Sequence, residues 1–106
     1  ELGASDVVDL PRIAEIARSM FHQVIGAYVR QDSVAISEVM ANEEIVDRLF
    51  LETRDQIHEL MRSHSDDVVT LSLLLIALHD IERVADHAVN IAERVTFMIT
   101  GELPAH

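Results

Sequence analysis

Two pairs of acids stand out in this chain of 106 residues: Glu43 with Asp47, and Glu82 with Asp86. Each pair is spaced four residues apart, so on a helix both carboxylates leave one face, a turn from each other. Four carboxylates gathered within about 6 to 8 Å repel, each pair by about 0.7 kcal/mol in water-like surroundings and about 3 kcal/mol at an effective dielectric of 20. They can splay into solvent, protonate, pair with arginine or hold a cation. Oxygen-only donors suit hard ions such as magnesium, calcium, manganese or iron rather than a thiolate-type zinc site. From spacing alone a solvated acidic face and a cation site both stay open, and the solvated face is the commoner arrangement.

Other reactive residue types give less. His79 lies one turn before Glu82 and can ligate or hydrogen-bond there; His87 falls on the opposite side with Arg83 and Arg94. His22, His58, His64 and His106 have no ligand partner at metal spacing except Asp55 beside His58, which reads as chance. No Glu-x-x-His pair occurs, so the di-iron signature of ferritin-like bundles is missing. Serine elbows, glycine-rich phosphate loops and His-Glu-x-x-His are missing as well. The expectation is a protein that is not an enzyme.

The elements that must position the acids are helices. Three glycines and two prolines are present, and apolar residues recur at helical spacing almost throughout. Helix one is expected from Leu10-Pro11 to the break at Arg30–Ser33, with a buried stripe of Ile13, Ile16, Ala17, Met20, Phe21, Val24, Ala27 and Tyr28. Asp6 to Asp9 either extend it or form a preceding turn. Gly26 inside it costs about 1 kcal/mol relative to alanine. Asp32 is placed to cap helix two, expected over Ser33–Arg62, and Ser65 or Asp66 to cap helix three, expected over Asp67–Thr100 and closed by Gly101 and Pro104. Ile81, Val84, Ala85, Ala88 and Ala92 form one apolar side of that last helix.

Short loops between long helices imply an all-α, antiparallel up-down-up three-helix bundle, one domain over residues 1–106. Counting outward from a loop centred between His64 and Ser65 puts Glu43 level with Asp86, and Asp47 level with Glu82. Both pairs fall at the margin of the apolar arcs, which makes an acidic groove between helices two and three. Arg48 and Arg83 point away from it, and Arg54 is on its side about two turns off. The Leu71–Leu78 run is apolar nearly all round; it is either a well-buried core segment or a contact with another bundle.

Net charge is −11, which disfavours nucleic acid and anionic membranes as partners. No apolar run reaches the roughly 18 residues of a membrane span, so direct membrane insertion is not expected. The absence of cysteine excludes disulfides and thiolate sites and fits a reducing compartment. No signal peptide is visible, and a start at Glu1 suggests a piece of something longer.

The segment Ile81-Glu82-Arg83-Val84-Ala85-Asp86-His87-Ala88-Val89-Asn90-Ile91-Ala92-Glu93 resembles the third-helix motif of the PhoU family, regulators of phosphate uptake. Glu43-Glu44-Ile45-Val46-Asp47-Arg48-Leu49-Phe50 is similar to its second-helix motif, and Phe97 to Glu102 to the tail of its C-terminal half. Ala85 stands where the family usually has glycine, and family members usually carry two such halves. The resemblance implies metal ligands at Glu43, Asp47, Glu82 and Asp86, holding divalent or trivalent ions, with iron, manganese, magnesium and zinc all open. It further implies a cytoplasmic negative regulator that couples a phosphate ABC transporter ATPase to a sensor histidine kinase. Pairing with a second repeat or a second copy is expected. The alternative is a cytoplasmic regulatory domain of a sodium–phosphate cotransporter or channel; a bundle metalloenzyme ranks below both.

Overall fold

A computed structural model describes residues 8–102 as three α-helices joined by two tight connections. Helix α1 spans Leu10–Arg30, α2 Ser33–Ser63 and α3 Val68–Thr100. They pack up-down-up into a rod of 53 × 20 × 17 Å. Asp6, Val7, Pro104 and His106 lie outside the described residues.

Each boundary has a local cause. Asp9 caps α1, its carboxylate accepting from the Arg12 amide at 3.2 Å, and Pro11 takes a first-turn position whose missing N–H costs nothing. Gln31 closes α1 in the left-handed conformation at φ 56°. Asp32 then caps α2 as expected, accepting from the Val34 and Ala35 amides at 3.0 and 3.3 Å. Gly101 ends α3 at φ 77°, its amide donating to the Phe97 carbonyl at 2.8 Å.

The second connection differs from expectation. Neither Ser65 nor Asp66 caps α3; Ser65–Asp67 form a 3-10 turn, and Asp67 precedes α3 without a side-chain cap bond. The turn carries the chain round by i to i+3 bonding, the Asp67 amide donating to the His64 carbonyl at 2.9 Å. Helix α2 consequently runs one residue further than expected, and α3 starts one residue later.

Two apolar clusters fill the rod. One joins Met20 and Val24 of α1, Val39 and Val46 of α2, and Ala85, Ala88 and Ala92 of α3. The other, nearer the α2–α3 connection, joins Ile13, Ile57, Leu60, Leu71 and Leu78. Burying each of the large side chains stabilises the fold by roughly 1.5–3 kcal/mol. The alanines of α3 let its backbone lie close to both neighbours.

Three readings of the apolar pattern need correction. Phe21 and Tyr28 are not part of the buried stripe of α1: both are exposed, at the edge of the arc that faces the core. Val84 is likewise exposed, although Ala85, Ala88 and Ala92 beside it are buried. The Leu71–Leu78 run is not a fully buried segment either. Leu71 and Leu78 are sealed in, whereas Leu73 and Ile76 are 62% and 57% exposed, because a three-helix bundle can cover only one side of any helix.

Candidate metal centre between the second and third helices

The groove between α2 and α3 is built by residues adjacent to buried anchors. Val46 is buried next to Asp47, and Ala85 is buried next to Asp86. Fixing those two side chains in the core sets the rotation of both helices, so their neighbours project at the core's margin. Glu43 and Glu82 are half-buried; Asp47 and Asp86 are exposed.

Across this groove the structure brings Glu82 beside Asp47, on the opposing helix, and Asp86, one turn along its own. Partial burial pushes the Glu82 carboxyl up, and the negative charges of Asp86 and then Asp47 push it further, to about 7 from an ordinary 4.5. A proton on Glu82 can be shared with either aspartate. The Asp47–Glu82 level expected from helical rise is therefore present. Glu43 lies one turn earlier on α2, half-buried.

Arginine does not neutralise this trio. Among the described residues, the arginine ion pairs lie elsewhere: Arg18 with Glu15 at 2.6 Å, Arg54 with Asp55 at 3.3 Å, and Arg62 with Glu59 at 2.5 Å. Arg54, the one arginine on the groove's side, turns to its sequence neighbour, and its Nε is buried without a hydrogen-bond partner. His79 packs its ring edge against Phe50, with centroids 5.2 Å apart and planes 67° apart. That contact holds the imidazole against α2.

The donor set fits a hard cation: it is all oxygen, and Asp47, Glu82 and Asp86 are crowded with no arginine ion pair among the described residues. As the side chains stand, no group of three or more histidine, aspartate or glutamate side chains among the described residues converges on one point. Gathering an ion would therefore need rotation of the exposed Asp47 and Asp86 side chains. This can happen without disturbing the core, since the buried anchors are Val46 and Ala85.

One feature was not anticipated from the residues. A groove of about 480 Å³ opens between α1 and α3, lined by Ala14, Arg18, Phe21 and His22 on one side and Ile81 and Val84 on the other. Its signal in the sequence is Phe21, an aromatic side chain at the rim of the α1 stripe rather than at its centre.

Among the described residues, no helix is long and apolar enough to cross a membrane. No solved structure matches the chain. The model of the PhoU domain family matches residues 10–95. A phosphate-specific transport system accessory protein PhoU homolog from Methanothermobacter thermautotrophicus is 31% identical over 98% of this chain and 48% of its own length. PhoU homologs of the same description from Rhizobium meliloti and Streptococcus pneumoniae are 26% and 30% identical, over 90% and 94% of this chain and 40% and 46% of their own lengths. The chain thus spans about half the length of these relatives, or less. With the family model covering most of its length, from the first turn of α1 to the last turns of α3, the chain belongs to the PhoU family.

Proposed function

We propose that this chain is a metal-binding regulatory unit of phosphate transport, with its cation held by Glu43, Asp47, Glu82 and Asp86. The observation that carries the reading is the crowding of Asp47 and Asp86 around a partly buried Glu82 in a member of the PhoU family. A bound cation would supply the positive charge that lets the carboxyls ionise together. Asp47 and Asp86, being exposed, would turn toward it, while Glu43 and Glu82, at the groove's floor, would anchor it from the two helices. Binding would then tie α2 to α3 at mid-height, which makes the shape of this face dependent on the ion. The relatives' description as accessory proteins of a phosphate-specific transport system supports a regulatory role. In that role the chain acts in the cytoplasm, coupling a phosphate ABC transporter ATPase to a sensor histidine kinase as negative regulator.

Metal content of the purified chain tests the site. Wild type is expected to retain manganese, magnesium, zinc or iron through gel filtration, and Asp47→Ala and Asp86→Ala to lose most of it. Equal content in all three proteins would overturn the site. In phosphate-replete cells the double variant is expected to raise phosphate uptake, and unchanged uptake would overturn the regulatory role.

A further inference from the structure

We propose that His79 is a further ligand of the cation between α2 and α3, and that its imidazole turns an otherwise oxygen-only site toward transition metals such as zinc and nickel. This rests on the metal site proposed above and names the class of ion it takes. Three observations place the ring. On α3, His79 stands three residues before Glu82, so the two side chains are neighbours on one face, with about 5–6 Å between their Cβ atoms. On α2, Phe50 stands three residues after Asp47, on the stripe that borders the same groove. The rings of Phe50 and His79 meet across that groove, centroids 5.2 Å apart and planes 67° apart. The imidazole therefore lies between the two helices, one turn from the level at which Glu82 meets Asp47.

The ring is positioned, yet its nitrogens are uncommitted. Among the described residues neither of them hydrogen-bonds to a protein group, and the side chain is exposed, so an ion can reach it. No cation competes for the place: Arg54, one turn beyond Phe50, ion-pairs with Asp55 at 3.3 Å. His79 and Glu82 then grip an ion from α3 while Asp47 grips it from α2. The donors do not converge on one point as they stand, and rotation of the exposed His79 and Asp47 side chains gathers them without moving either backbone. Donor chemistry decides which ion gains. Carboxylates suit magnesium, calcium and manganese, whereas imidazole suits zinc, nickel and iron, so one nitrogen added to the acids shifts the preference toward the second group.

Equilibrium dialysis of wild type and His79→Phe against zinc, nickel and magnesium, each alone, tests this. His79→Phe keeps an aromatic ring against Phe50 and removes both nitrogens. The position is exposed, so circular dichroism should show unchanged helix content. The substitution is expected to raise the zinc and nickel dissociation constants at least about tenfold, the least that even outer-shell changes cost a metal site, and to leave magnesium binding as in wild type. Zinc should also shift the His79 ring signals in NMR spectra of wild type, identified by their loss in His79→Phe. Zinc affinity equal in the two proteins, ring signals that zinc leaves in place, or an equal loss of all three metals would overturn the role of His79 while leaving the acidic site standing. A wild type that binds none of the three would overturn the acidic site itself, and this role with it.

Discussion

At Glu82 three influences act in one direction: partial burial, then the charge of Asp86, then that of Asp47. A carboxyl whose pKa is about 7 in the folded chain, against an ordinary 4.5, binds more protons folded than unfolded across that interval. Stability of the metal-free protein therefore falls as pH rises from 4.5 toward 7, and the whole penalty is present above 7. Glu82→Gln removes it. In chelator at about pH 8 this variant is expected to be more stable than wild type by about 1 kcal/mol, well short of the shift's full worth because water still screens the carboxyl. Denaturant melts at several pH values would show the gap closing as pH falls from 7 to 4.5. A variant no more stable than wild type at pH 8 would mean that the carboxyls relax apart without cost.

At the scale of the helices, the Leu71–Leu78 run and Gly26 give separable expectations. Leu78 is fully buried and Leu73 mostly exposed, on the same apolar stretch. Leu78→Ala is expected to cost about 2–5 kcal/mol, and Leu73→Ala under about 0.5 kcal/mol, by thermal or denaturant melts. Similar costs for both would mean that the run is covered all round. A Cβ at Gly26 would come within 2.9 Å of the Arg30 guanidinium only, the far end of a flexible side chain that can swing aside. Gly26→Ala should therefore raise stability by up to about 1 kcal/mol through helix propensity.

Much of this was legible from residue patterns, for a physical reason. Asp32 and Gly101 are punctuation whose effect is local, so the ends they set needed no tertiary information. The Asp47–Glu82 level followed from helical rise and one loop position alone. Ser65 and Asp66 misled because a 3-10 turn and a helix cap draw on the same residue types. Phe21, Tyr28 and Val84 misled because spacing locates an apolar arc but not how wide a neighbour covers it. That width depends on how close the helices come, which the alanines of α3 decide. The α1–α3 groove was therefore invisible until the helices were set side by side.

Taken as a whole, the molecule carries two contrasting faces on one rod. The α2–α3 face concentrates negative charge with no arginine counter-ion at Asp47, Glu82 and Asp86; the α1–α3 face leaves apolar rows uncovered. The two share only α3, whose acids and whose Val84 row lie on different sides of its buried stripe. Substituting on one face should leave the other unchanged, so Phe21→Glu on the α1–α3 face is expected to leave the metal content of the chain unaltered.

The central claim is that crowded carboxylates at Glu82 are relieved by a cation, and proton release on metal addition tests it most directly. With its carboxyl pushed up to about 7, Glu82 keeps part of its proton at neutral pH, so capture of a divalent ion should expel that fraction. Calorimetric titration of manganese in buffers of different ionisation enthalpy measures that number. Proton release is expected in wild type and is expected to vanish in Glu82→Gln. Binding without proton release, or no binding at all, would contradict it.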